Sequence, residues 1–262
     1  MDIAKTANRH AAWQMLTKVP KITLYFWIIK ILTTALGEAT SDYMVHKFNP
    51  YFAVALGFAV FVIALYIQFQ KKRYIPWVYW LAVAMVAIFG TMAADVIHIQ
   101  LKVPYAASTA FFAVVLLIIF SRWYKSEGTL SIHSVYTRRR EVFYWLAVLA
   151  TFAMGTAAGD LAAYTFNLGF FSAGIMFGII FFIPAVAYWL FKLNPIFSFW
   201  FAYVMTRPFG ASFADWFGKA KSTGALGYGD GKVALVLTVL VVILVAFLSV
   251  SGVDTYQTPQ SS

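Results

Sequence analysis

Apolar runs of eighteen or more residues follow one another along almost the whole chain, separated by short polar breaks. A helix needs about 20 such residues to cross the hydrocarbon core of a bilayer. The pattern therefore predicts eight spans, near 22–45, 51–70, 75–98, 104–123, 143–165, 168–191, 197–217 and 232–251. The even-numbered runs are nearly pure Val, Leu, Ile and Phe. The odd-numbered ones also carry Trp, Gly and acidic residues at regular intervals. The expected fold is an all-α integral membrane protein of about eight transmembrane helices, forming one transmembrane domain over 1–262. Composition agrees: with 62% of residues hydrophobic and 11% charged, lipid has to be the solvent.

The intervals are a repeat. Trp27, Gly37 and Asp42 are followed by Trp80, Gly90 and Asp95, then Trp145, Gly155 and Asp160, then Trp200, Gly210 and Asp215. The spacing of ten residues to Gly and five more to Asp holds four times without an insertion. An aromatic precedes each Trp: Phe26, Tyr79, Tyr144 and Phe199. Each unit continues into a second apolar run, so it is a two-span hairpin, with repeats at about 20–72, 73–125, 138–192 and 193–252. Two spans per unit make all four enter the membrane in the same direction, a parallel repeat whose units can surround an axis along the membrane normal. The motif-bearing odd spans are expected to face the centre and the even spans to face lipid.

This motif resembles a bacterial family of membrane proteins with four tandem two-span repeats and a recurring Trp, a domain of unknown function with no firmly assigned activity. The resemblance covers about residues 20–251. It implies the fold and a bacterial inner-membrane location, and it supplies no mechanism. The fourth unit departs from the pattern through a long polar connection, Gly218 to Gly231.

The formal charge of +10 is a topology signal rather than a nucleic-acid site. Thirteen basic residues, among them Lys5, Arg9, Lys18 and Lys21, the loop Lys71-Lys72-Arg73 and the run Arg138-Arg139-Arg140, fall on one side, while the other side holds five, Lys47, Lys102, Lys219, Lys221 and Lys232. The positive-inside rule then places both termini in the cytoplasm. The absence of cysteine excludes disulfides, thiolate metal sites and catalytic thiols. Axial haem ligation is excluded because His46 and His98 lie toward one side only, with His10 and His133 in polar segments.

The functional signal is charge inside the spans. Five of the ten acidic residues, Glu38, Asp42, Asp95, Asp160 and Asp215, lie within them, against Lys30 and Arg207 among the basic residues. A carboxylate at mid-bilayer costs about 3 kcal/mol on insertion scales, and such residues mark ion or proton paths. Fifteen residues from Trp to Asp is about 22 Å of helix. The four Asp are thus expected as a ring toward the outer third of the membrane, sharing protons because like charges so close cannot all ionise. Thr91 and Thr156 stand four residues before Asp95 and Asp160, Glu38 four before Asp42, and His46 and His98 follow their Asp by four and three. Oxygen donors suit Mg²⁺ or Mn²⁺, and added imidazoles favour Mn²⁺. The sequence reading is a proton-coupled secondary transporter of a small cation, Mn²⁺ first, with the lipid bilayer as its surroundings and no permanent cofactor. On this reading Glu38→Gln abolishes transport and leaves folding intact.

Other roles are blander. Gly37, Gly90, Gly155 and Gly210 permit close helix packing. Trp27, Trp80, Trp145 and Trp200 are interface or core anchors, with the membrane belt favoured. Arg207 is an internal counter-ion able to reach a neighbouring hairpin, and Lys30 a counter-ion or a base snorkelling to the interface. Two alternatives compete with transport of a metal. In one, the Asp residues are structural ties and the substrate is organic or a proton. In the other, Gly227-Tyr228-Gly229-Asp230 resembles the GxGD element of membrane aspartyl proteases, and Asp230 would pair with Asp215 or Asp160. The bland reading of Asp230 is the N-cap of the eighth span. No enzyme is the expected outcome.

Overall fold

A computed structural model describes residues 16–256. Lys5, Arg9 and His10 lie outside the described residues. Eight α-helices account for almost all of it: α1 Leu24–Lys47, α2 Pro50–Gln70, α3 Pro76–Asp95, α4 Tyr105–Glu127, α5 Arg138–Asp160, α6 Gly169–Phe191, α7 Pro195–Gly218 and α8 Asp230–Ser251. No strand occurs among the described residues. Six helices, all but α1 and α7, are long and apolar enough to cross a membrane. The two exceptions hold Lys30, Glu38, Asp42, Arg207 and Asp215, and both are largely enclosed by other helices. Charge is tolerable there because protein, rather than lipid, surrounds it.

Local chemistry sets the boundaries. Asn49 and Asn194 cap α2 and α7 by accepting hydrogen bonds from the next backbone amides, each with a proline at the first helical position, where no N–H is needed. Thr23 and Thr137 cap α1 and α5 in the same way. α5 begins five residues ahead of the predicted apolar run because Thr137 opens it before Arg138-Arg139-Arg140. Asp230 does not cap α8: Gly229, with φ +88°, takes that position and Asp230 is the first helical residue.

The odd helices form a closed inner ring in which α1 packs on α3, α3 on α5, α5 on α7 and α7 on α1. The even helices lie outside it, as the sequence predicts. Their partners are less obvious, because each even helix packs mainly on the odd helix of the next repeat rather than on its own. Phe61 of α2 stacks on Phe89 of α3, with Phe58 tilted against the same ring, and Trp123 of α4 stacks on Phe143 of α5. Phe181 of α6 stacks on Phe209 of α7, and Phe247 of α8 meets Tyr25 of α1, which closes the circle.

The repeated glycines explain how the ring closes. Each receives a side chain or backbone from the next odd helix, always the residue seven after that repeat's Trp. Gly37 faces Ala87, Gly90 faces Phe152, Gly155 faces Arg207 and Gly210 faces Thr34. A β-carbon at any of the four would overlap its neighbour. The fourfold sequence spacing is thus a fourfold contact, and the packing role read from the sequence is what the structure shows.

Three of the four tryptophans are core rather than belt residues. Trp80, Trp145 and Trp200 are buried, because the outer helices and loops cover them, and Trp200 Nε1 donates to the Leu130 carbonyl at 2.9 Å. Trp27 is half-buried against Phe181 and Phe199.

Candidate functional site

The centre of the ring belongs to Arg207, which is completely buried. Its Nη2 has three acceptors within hydrogen-bond reach of its two N–H groups, Glu38 Oε2 on α1 at 2.5 Å, Thr156 Oγ1 on α5 at 2.7 Å and Thr91 Oγ1 on α3, while Nη1 donates to the Thr34 carbonyl at 3.0 Å. One guanidinium therefore ties together all four inner helices. The repeat makes this possible. Counting eleven residues from each Trp gives Glu38, Thr91, Thr156 and Ala211, three oxygen-bearing side chains at one level with a small fourth on the helix that supplies the arginine. Thr91 and Thr156, read from the sequence as companions of Asp95 and Asp160, are acceptors for Arg207 instead.

Nearer the hairpin tips, Glu38, Asp42 and Asp215 converge, one ligand oxygen from each lying within 4.8 Å of the others. All three are buried. Lys219, just past the end of α7, sends its ammonium into the group: it bonds Asp42 Oδ2 and stands 3.8 Å from Asp215 Oδ1, which has no hydrogen-bond partner. Burial works against the lysine's charge, but Asp215, Asp42 and Glu38 outweigh it and hold the ammonium well above its ordinary range. Ser41 Oγ reaches Asp95 Oδ2 at 3.5 Å, linking the second repeat's carboxylate to α1. Asp95 and Asp160 are partly exposed. The expected four-Asp ring is in fact a tight group of Glu38, Asp42 and Asp215 with Asp95 and Asp160 beside it.

The helix backbone changes at this level. Directly after Asp95 and Asp160 the helices widen into five-residue π-turns, Val96–Gln100 and Leu161–Thr165, whereas α1 and α7 continue as α-helix. Such widenings cluster at functional sites because they redirect side chains without ending the helix.

The histidines do not join. His46 is exposed and its Nδ1 bonds the Asp42 carbonyl at 2.7 Å, while His98 sits within its own hairpin on Ser108 and against the Tyr105 ring, with centroids 4.5 Å apart. An exposed end position and a within-hairpin partner take both imidazoles away from the carboxylate group, so its donors are oxygens.

The opposite half of the ring is closed by aromatics. Phe26, Tyr79, Tyr144 and Tyr203 are fully buried, and the Tyr79 and Tyr144 hydroxyls bond each other. Lys30 lies between this plug and Arg207. Its Nζ has no hydrogen-bond partner and sits 4.0 Å from the Phe152 ring centroid and 4.1 Å from that of Tyr203. The snorkelling expected of Lys30 is overturned: its side chain points into the ring, where the rings of Phe152 and Tyr203 hold it. Asp230 lies outside the Glu38, Asp42 and Asp215 group, its carboxylate against Gly218.

Sequence reading missed Lys219, which looked like a loop lysine. Its spacing of four residues from Asp215 was the available signal. The reach of Arg207 to a neighbouring hairpin was legible, although its partner Glu38 was not singled out.

No curated protein and no solved structure matches the chain. A family profile does, in four segments covering 25–74, 78–129, 143–194 and 198–253, which are the four units described above. The chain therefore belongs to the family described as Repeat of Unknown Function (DUF347).

Proposed function

We propose that the chain is a secondary membrane transporter for a divalent cation, held by Glu38, Asp42 and Asp215. The observation that carries the reading is the convergence of three buried carboxylates around a positive charge already seated among them. Buried acids this close need compensating charge, and all the donors are hard oxygens, which suits Mg²⁺ or Mn²⁺. With the imidazoles elsewhere, the sequence-based preference for Mn²⁺ over Mg²⁺ loses its support.

The two ends of the ring differ in a way a transporter would use. The carboxylate end is partly exposed at Asp95 and Asp160, and the other end is shut by aromatic rings. With the basic loops in the cytoplasm, the carboxylate end faces outward in a bacterial inner membrane. Among the described residues, Arg207 and Lys219 are the cations paired with these five acids, so protons would balance the remainder and couple to transport.

A purely structural role for the Asp residues accounts less well for the unequal surroundings of Asp42, Asp95, Asp160 and Asp215. The protease reading would pair Asp230 with Asp215 or Asp160, whereas its carboxylate lies against Gly218, outside the Glu38, Asp42 and Asp215 group. Flux of Mn²⁺ and Mg²⁺ into proteoliposomes under an imposed pH gradient tests the proposal. Uptake by the wild type that Asp215→Asn and a protonophore both abolish supports it. Absence of flux for both ions under either direction of the gradient contradicts it.

A further inference from the structure

Lys219 stands at a repeat position where the other three units carry no permanent cation. Nineteen residues after each repeat's Trp stand His46, Ile99, Tyr164 and Lys219, so a permanent cation appears in the fourth repeat alone. That repeat also differs in its connection. The first three hairpins turn within a few residues, whereas Lys219 begins a segment running to Gly229 that contains a short 3-10 turn and three glycines at positive φ, Gly224, Gly227 and Gly229. The side chain is 21% exposed, while its partners Asp42 and Asp215 are at 12% and 8%. A lysine at the lip of the site, on a long glycine-bearing connection, thus dips its ammonium between carboxylates that otherwise lack a partner.

We propose that Lys219 is a tethered cation that fills the carboxylate site when no substrate is present and is displaced when a free divalent cation enters. The inference rests on the cation-site reading above and adds how the site chooses its substrate. Glu38, Asp42 and Asp215 carry three negative charges when ionised. Arg207 and the ammonium of Lys219 leave one of these unbalanced. A divalent ion in place of the ammonium brings the group to neutrality, because it supplies two charges where one left. A monovalent ion in the same exchange only replaces like with like and gains nothing over the tethered lysine, whose effective concentration at the site is high. Competition by Lys219 therefore rejects Na⁺ and K⁺ and admits divalent ions at the cost of a lower apparent affinity.

The absence of cysteine from the chain permits a direct test on the full-length protein. In Lys219→Cys, reaction with methyl methanethiosulfonate leaves a neutral side chain, and reaction with aminoethyl methanethiosulfonate restores a tethered ammonium of nearly lysine length. Mn²⁺ and Na⁺ affinities of the two adducts and of the wild type are then measured by calorimetry in detergent. The neutral adduct is expected to bind Mn²⁺ about tenfold more tightly than the wild type, as a site occupied nine-tenths of the time would require. It is also expected to bind Na⁺ measurably, and the ammonium adduct is expected to return both affinities toward the wild type. Equal Mn²⁺ affinity in all three forms overturns the tethered-cation inference and leaves the cation site standing. Absence of Mn²⁺ binding in every form overturns the cation site itself, and with it this inference.

Discussion

Arg207 and Glu38 are 169 residues apart in the chain, yet Nη2 and Oε2 meet at 2.5 Å in the middle of the inner ring, where both side chains are almost fully shielded. This pair joins the last repeat to the first, and the two Thr hydroxyls join the repeats between. Removing one partner of such a pair leaves a buried charge uncompensated, a loss of about 3–5 kcal/mol. Arg207→Met and Glu38→Gln should therefore each lower resistance to denaturant strongly, and the double variant should recover part of the loss. The sequence reading expects Glu38→Gln to act on transport alone, whereas the pairing with Arg207 predicts a loss of stability as well. Unfolding titrations of the three variants in detergent check it, and additive losses in the double variant would contradict the pairing.

Two glycines on α5 separate packing from helix propensity. Gly155 faces Arg207 Cβ and Cγ and Pro208 Cδ with no room for a methyl group, whereas a β-carbon at Gly159 would find its nearest neighbour at 3.8 Å. Gly155→Ala is expected to cost about 1–3 kcal/mol through overpacking. Gly159→Ala is expected to be neutral or to gain up to about 1 kcal/mol, because Ala is the better helix former. Thermal melts of the two variants side by side are sufficient.

Lys30 is buried, its Nζ set against aromatic faces with no acceptor. The rings return about 2 kcal/mol at best, and a buried polar group without a hydrogen-bond partner costs about as much or more, whether it stays charged or gives up its proton. Lys30→Met, of similar shape, should raise the melting temperature, equivalent to about 1 kcal/mol or more. A variant that melts lower would show that the charge at this point stabilises the fold, as a counter-ion would.

The fold was legible because the four-unit spacing is long, regular and uninterrupted. Counting from Trp27, Trp80, Trp145 and Trp200 fixes eight helices and even the levels within them. What the spacing could not reveal is exchange between units, since a hairpin packing on itself and one packing on its neighbour have the same pattern. Phe61 against Phe89 or Phe247 against Tyr25 follows only once the ring closes. The acids of the site were legible from the cost of a carboxylate in a span. Lys219 was not, because a lysine at a hairpin tip is usually solvated. The π-turns after Asp95 and Asp160 also leave no mark in hydropathy, since a widened turn needs no special residue type. The sequence left His46 and His98 as possible ligands because helical spacing gives proximity along one helix, not direction toward the axis, and the structure turns both rings to other partners.

The central claim is that Glu38, Asp42 and Asp215 form a divalent-cation site, and its most direct test is thermal stabilisation of the purified protein by Mn²⁺ and Mg²⁺ in the wild type, Asp215→Asn and a His46→Ala/His98→Ala double variant. An ion that binds only the folded state stabilises it by about 2.7 kcal/mol at a hundredfold excess over its dissociation constant. The account predicts a shift in the wild type, the same shift without the two histidines, and none in Asp215→Asn. An unchanged shift in Asp215→Asn, or no shift with either ion in the wild type, would contradict it.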